Sequence, residues 1–317
     1  MTRGSAEPVA GLVAASDPEV SVIVPTVGRT RSLERLLDAL ATQDLDRAAF
    51  ETIIVVNGPA AAARPDVVPD RPAVQVIRRG EPGRAAACNA GLRLARGRIV
   101  VFLDDDMEPL PACLQAHRDA HRGPAQLILG PVPVAADDRG GSANRYIARQ
   151  FERHLAKLAL PGYVPEPSDA YTGNASIERG VLLAVGGFDE RLVEYGNEDR
   201  DLARRLRRSG VAIAVAPDAI AIQHYEKDLG ELLADNRAKG WTAASLVAAD
   251  ATALGDTRMR RRGSRRRRAV RSLLTRIAGV PGWTGLERRM VGSLSRIHPR
   301  LANAAVARPF QCVSLRW

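Results

Sequence analysis

The sequence predicts an α/β fold, a doubly wound and mainly parallel sheet flanked by helices. Three short apolar runs predict the sheet: residues 20–24 (VSVIV), 52–56 (TIIVV) and 99–103 (IVVFL). They are rich in β-branched residues and apolar on both faces, as buried parallel strands are. Between the first two, Leu33, Leu36, Leu37 and Leu40 keep the i, i+3, i+4, i+7 spacing of an amphipathic helix. Strand and helix then alternate along the chain, which is the pattern of a doubly wound sheet.

Residues 1–19, small and polar with two prolines, read as a loose leader. The first strand stops at Pro25, and Thr30 is the expected N-cap of the following helix. Residues 73–77 form a weaker strand, and 83–95 a helix bracketed by Gly83 and Gly97. Beyond the third buried run, a helix is expected over 110–121, a strand over 126–134 and a helix over 144–158. A Pro-rich loop spans 161–169. Residues 172–177, 211–215 and 219–222 are further strands. A helix covers 198–208, with Asn197 as N-cap and Leu202 and Leu206 on one face, and 226–253 is helical. One α/β domain over 20–253 is therefore expected, followed by a basic, partly helical extension over 254–317.

The 317 residues suffice for a full core. With 45% hydrophobic and 26% charged residues, the composition is that of a soluble globular chain. No apolar run approaches the ~18 residues of a spanning helix, and the N-terminus lacks the apolar core of a secretory signal. Cys88, Cys113 and Cys312 make neither a CxxC pattern nor a disulfide framework, which points to a reduced cytosol.

The net charge of +10 is unevenly spread. Residues 251–317 hold 16 Arg against Asp256 and Glu287, whereas residues 1–250 hold 30 basic and 34 acidic residues. Only Lys157, Lys227 and Lys239 are lysines.

The loop after the first strand reads PTVGRT. It lacks the G-x-G-x-x-G of a dinucleotide fold, and the chain has neither a P-loop nor a G-x-S-x-G elbow. The third buried strand instead runs directly into Asp104, Asp105 and Asp106. Ligands of open α/β sheets bind outside the carboxyl ends of the strands. Three adjacent carboxylates there need compensation, and an extended segment would let Asp104 and Asp106 converge. Hard oxygen ligands suit Mg²⁺ or Mn²⁺.

The block GRAAACNAGLRLARGRIVVFLDDD resembles the signature of the family-two glycosyltransferases of the GT-A fold, a Rossmann-like sheet. SVIVPTVGR resembles the family's first strand and donor loop. TGNASIERGVLLAVGGFDE and GNEDRDLARRLRRSG resemble its acceptor-side half. The match runs from about residue 20 to 224. The resemblance implies an inverting transfer of a sugar from a nucleotide-sugar donor to an acceptor glycan, lipid-linked sugar or small molecule, with a divalent metal. Asp104 would bind the donor ribose, with Asp105 beside it on the donor side. Asp106 would hold the metal, with Asp104 and His224 as further ligands. Pro25, Thr26 and Arg29 would line the nucleotide pocket. Asn57 stands where the family more often has Asp against the base, and it can both donate and accept. Asn89 fits the family's helix. Cys88 replaces an Arg the family often carries, and Arg84, one turn earlier, would supply that charge to the diphosphate. Gly173 and Asn174 resemble the loop facing the donor sugar. Asp199 would be the general base and Glu198 would orient the acceptor, with Asp201 as the alternative base. Acids in a first helical turn also oppose the macrodipole, and a lone His such as His224 is often structural.

In the extension, Val270, Leu273, Leu274 and Ile277, then Leu286, Met290, Leu294 and Ile297, form helical stripes beside a run of arginines. Basic amphipathic helices lie on anionic membranes, which would place a cytoplasmic enzyme on the inner face of the plasma membrane. A basic tail packed on or trailing from the enzyme is the competing reading, and no nucleic-acid recognition motif accompanies the charge. A nucleotidyltransferase on a related sheet and a non-catalytic membrane or nucleic-acid adaptor are the alternatives to a glycosyltransferase. The first leaves the late acidic block unexplained. The second leaves the carboxylates without a task.

Overall fold

The computed structural model describes residues 17–58, 74–135 and 142–249. The strands are β1 (Val20–Thr26), β2 (Phe50–Asn57), β3 (Val74–Arg79), β4 (Ile99–Leu103), β5 (Met107–Pro109), β6 (Gln126–Leu129), β7 (Asn174–Glu178), β8 (Ala212–Val215) and β9 (Ala221–Gln223). The helices are α1 (Thr30–Ala41), α2 (Arg84–Leu94), α3 (Cys113–Ala120), α4 (Ser142–Leu158), α5 (Arg179–Ala184), α6 (Glu198–Arg208) and α7 (Leu229–Ala249). The leader up to residue 16, the end of the last helix predicted to 253 and the whole basic extension lie outside the described residues. Among the described residues, no helix is long and apolar enough to cross a membrane.

Seven strands form one sheet in the order β3-β2-β1-β4-β7-β6-β8. β1, β2, β3 and β4 are parallel neighbours, as are β6 and β8; β7 runs antiparallel between β4 and β6. The apolar runs are apolar throughout because both faces are covered. Ile23, Ile53, Val55, Val100 and Phe102 pack on one side with α2 and α6 residues such as Ala87, Cys88, Leu202 and Leu206. Val22, Val24, Ile54, Val56, Val101 and Leu103 pack on the other with the Leu33, Leu36, Leu37 and Leu40 stripe of α1. Successive residues of a strand thus feed opposite cores. α2 lies close on β1: a Cβ on Gly91 would fall 2.5 Å from Ile23 Cγ2.

Several boundaries differ from expectation for local reasons. Thr30 is the first residue of α1 rather than its cap; Arg29 precedes it without a side-chain cap bond. The strand expected to reach 134 ends at Leu129, because Gly130, Pro131 and Pro133 follow. Asn197 does precede α6, but with a left-handed φ of 67°, and its side chain does not cap. It donates instead to the Lys239 carbonyl and Thr242 Oγ1, both at 2.8 Å, pinning α7 to the entrance of α6.

Two pairings build the site. β7 lies beside β4 with Asn174 opposite Leu103, so the Asp104 N–H donates to the Gly173 carbonyl at 3.0 Å. β5 pairs with β9, Met107 opposite Gln223, and the His224 N–H reaches the Asp106 carbonyl at 2.8 Å.

Candidate active site

The three aspartates after β4 take three different partners. They do not continue the strand. The chain turns at once, with the Met107 N–H bonded to the Asp104 carbonyl at 3.1 Å. The alternation expected of an extended segment therefore fails, and Asp104 and Asp106 do not share a partner. Asp105 is 1% exposed and turns into the end of β1. It accepts from Thr26 Oγ1 at 2.5 Å and from the Arg29 guanidinium at 2.6 and 3.3 Å. Thr26, Arg29 and Asp105, all expected at the nucleotide, thus hold one another and fix the β1 loop to the β4 loop.

Asp106 is buried. Its Oδ2 accepts from Gln223 Nε2 at 3.2 Å, and its Oδ1 has no partner. Burial, with Asp104 and Asp105 nearby, pushes its carboxyl up to about 7. An orphaned buried carboxylate oxygen facing like charges is a fitting ligand for a hard cation. Ions of the Mg²⁺ kind take one or two protein carboxylates and complete their shell with water and substrate phosphate. His224 does not join it. Its Nε2 lies 2.6 Å from Glu108 Oε2, because β5 and β9 place Glu108 and His224 together. Among the described residues, no group of three or more His, Cys, Asp or Glu is assembled to hold a metal.

Asp104 faces the other way, to Arg84, at 2.5 Å. Arg84 sits in the first turn of α2 and is 16% exposed. It also donates to Thr172 Oγ1 at 2.9 Å and pairs with Glu198 at 3.5 Å. One guanidinium thus joins the β4 loop, the segment entering β7 and the start of α6. The resemblance puts Arg84 at a diphosphate; in the fold it is committed to protein carboxylates. Cys88, at the position where the family often has Arg, is wholly buried.

α6 opens with three acids in distinct settings. Glu198 is buried, its Oε2 has no partner, and burial holds its carboxyl above the usual range despite Arg84. Asp199 is partly exposed, with Oδ1 accepting the Arg200 N–H at 2.8 Å. Asp201 is buried with both oxygens engaged, by Arg204 at 2.9 Å and Arg205 at 2.8 Å. Expected as the alternative base, it is instead engaged on both oxygens by arginines of its own helix.

Pro25 ends up buried in β1. Asn57 closes β2 with its Oδ1 unpartnered, 7% exposed. Two residues expected at the donor are elsewhere. Asn89 donates to the Phe188 carbonyl and Glu190 Oε1, and accepts the Phe188 N–H, each at 2.9 Å. It clamps the Gly-Gly-Phe turn, where a Cβ on Gly187 would strike its Oδ1 at 2.5 Å. Asn174 is 0% exposed and is spent on His117, Ala219 and Pro131. Gly173 does approach: a Cβ there would fall 2.8 Å from Asp104 Oδ2. Thr172, Gln223, Tyr195 and Lys239 carry no sequence signal of their own. Strand register and helix docking bring them in, and neither leaves a local motif.

Residues 21–185 match the family described as Glycosyl transferase family 2, and residues 153–228 one described as N-terminal domain of galactosyltransferase. Validoxylamine A glucosyltransferase of Streptomyces hygroscopicus subsp. jinggangensis is 28% identical over 235 residues, 65% of this chain and 55% of that protein. Pre-mycofactocin glycosyltransferase of Mycobacterium tuberculosis is 26% identical over 236 residues, 73% of this chain and 48% of that protein. The chain spans about half the length of these relatives. The mannosyltransferase PcManGT from Pyrobaculum calidifontis, solved with GDP-Man and Mn²⁺, shares the fold with a TM-score of 0.56 and 19% identity, covering 94% of this chain and 86% of that one.

Proposed function

This chain belongs to glycosyl transferase family 2, and we propose that it transfers a sugar from a nucleotide-sugar donor to an acceptor hydroxyl with inversion at the anomeric carbon. The observation that carries the reading is the Arg84 bridge, which sets Asp104 after β4 and Glu198 at the start of α6 on one guanidinium. A carboxylate turn at the strand ends and an acidic helix start are thereby held at one place, as a donor and an acceptor meeting there require.

The nucleotide lies along the ends of β1, β2 and β4. Asn57 Oδ1, unpartnered at the end of β2, faces the base. The Thr26–Asp105–Arg29 clamp keeps the β1 loop in shape before any ligand arrives, and Asp104 takes the ribose. Asp106 Oδ1, orphaned and buried, would be a protein ligand of a divalent ion, which would supply neutralisation of the leaving diphosphate. PcManGT, solved with GDP-Man and Mn²⁺, supports the use of a divalent metal in general.

Asp199 is the base. It is the acid of the first turn of α6 that is neither buried nor locked in an ion pair, since Glu198 holds Arg84 and Asp201 holds two arginines. It takes the proton of the acceptor hydroxyl as that oxygen forms its bond to the anomeric carbon. The bond from that carbon to the diphosphate breaks on the opposite face, the electron pair leaving with the diphosphate. Glu198, fixed by Arg84, orients the acceptor.

The test is calorimetric binding of UDP, GDP and dTDP, each with Mn²⁺ and then with chelator. One of them binds in a metal-dependent way, and Asp106→Asn abolishes the metal dependence. Folded protein that binds none of the three overturns the donor site. Unchanged Mn²⁺-dependent affinity in Asp106→Asn removes that residue as the ligand.

A further inference from the structure

Each of the three lysines in this arginine-rich chain stands over a tyrosine ring. Lys157 lies over Tyr163 at 4.7 Å; Lys227 and Lys239 lie over Tyr195 at 4.9 and 5.1 Å. The Tyr195 pair is the one beside the site, because Tyr195 is three residues before Glu198. Tyr195 is 40% exposed. The two ammoniums differ in their balance. Lys227 is neutralised by Asp235 at 2.6 Å. The Lys239 ammonium has no hydrogen bond or ion pair among the described residues, only the ring.

Lys239 is open to solvent and nevertheless held in place. Its backbone carbonyl accepts from Asn197. Its stem lies over Gly196, where a Cβ would fall 2.3 Å from Lys239 Cγ and where φ is +101°. A glycine here thus leaves room for the lysine to cross the loop. The surroundings are crowded enough to lower the ammonium's pKa by desolvation, with Asp235, Asp199 and Glu198 acting against that shift. A charge fixed beside a site, reachable and without a bonded partner, suits a countercharge that arrives with a ligand.

Building on the acceptor side proposed above, we propose that Tyr195 and Lys239 form an acceptor subsite for an anionic group, a carboxylate or a phosphate carried on the acceptor. The ammonium binds the anion, and the exposed ring packs against the acceptor body. Lys227, already paired, keeps the ring in position. The anion is held across the loop from Asp199, so the acceptor's free hydroxyl is the part left to face the base.

The small number of lysines makes the test direct. The full-length protein, labelled with ¹³C at lysine Cε, gives three side-chain resonances, and Lys239→Gln assigns one of them by its loss. With Mn²⁺ and the bound nucleoside diphosphate present, methyl β-glucuronide, glucose 6-phosphate and methyl β-glucoside are titrated in separate arms. The expected result is a shift of the Lys239 resonance with a charged probe, Lys157 unmoved, and affinity at least about tenfold above that of the neutral glucoside. In Lys239→Gln that preference disappears. The two charged arms tell carboxylate from phosphate. Equal affinity for all three probes, or a preference kept by Lys239→Gln, overturns the proposal. Nucleotide binding by the wild type, read in parallel, separates this failure from failure of the donor site.

Discussion

His117 Nε2 and Asn174 Oδ1 lie 2.8 Å apart beneath β7, where both residues are 0% exposed. The Asn174 amide donates to the Ala219 and Pro131 carbonyls, which leaves its oxygen to accept from His117. His117 therefore carries its proton on Nε2, and its Nδ1 accepts from Ser176 Oγ at 2.8 Å. The Ser176 oxygen in turn accepts from His121 Nε2 at 2.9 Å, and His121 Nδ1 is left without a partner. The polar thread runs in one direction: a second proton on His117 Nδ1 would oppose the Ser176 hydroxyl, and one on His121 Nδ1 would be buried with no acceptor.

Both rings are consequently neutral in the folded protein. Burial pushes each down to about 4 from the usual 6.5. Below pH 6.5 the unfolded chain takes up protons that the folded chain refuses. The stability each ring contributes is thus full above pH 6.5 and is lost as pH falls towards 4, about 3 kcal/mol for each. Asp106, raised to about 7, works in the opposite sense and gains as pH falls. Proton NMR of the ring C–H resonances separates the effects: of the five histidines, two do not titrate above pH 5. Ordinary titration of all five near pH 6.5 contradicts the thread.

Asp199→Asn keeps metal-dependent nucleotide binding and loses roughly 10²–10⁴-fold in turnover, the usual worth of a positioned base. Asp201→Asn behaves differently. It removes the buried carboxylate that Arg204 and Arg205 share and costs about 3–5 kcal/mol of stability. Urea denaturation together with turnover on the folded fraction distinguishes the two. Near wild-type turnover in Asp199→Asn moves the base role to another residue.

Asn89→Ala removes three hydrogen bonds to the turn at Phe188 and leaves a buried N–H and carbonyl unsatisfied. The expected loss is about 2–4 kcal/mol, with the nucleotide affinity of the folded protein unchanged. A loss of affinity without a loss of stability would return Asn89 to the donor site.

The sheet was legible because burial on both faces writes itself as uninterrupted apolar runs, and α1 because its leucines keep one stripe. The position of the carboxylates was legible too, since Asp104 to Asp106 follow a buried strand directly. Their division of labour was not. Whether Asp105 turns to Arg29 or to a ligand depends on a turn of three residues and on how near β1 lies, and neither has a sequence period. The motifs around Asn89 and Asn174 point to donor contacts. Their side chains are consumed instead by Phe188 and His117, partners 99 and 57 residues away in sequence. Asn197 sits where a cap belongs, and only the docking of α7 reveals why its amide serves Lys239 and Thr242.

Arg84 has a bearing on the order of events. It is a single cation with a carboxylate on each side, and any ligand that draws Asp104 away from it alters its hold on Glu198. Two binding equilibria that share such a hinge are linked, and linkage is reciprocal: whatever factor the first ligand applies to the second, the second applies to the first. Occupancy on one side would then be felt on the other without movement of the sheet, and the cheapest route through the reaction would be an ordered one.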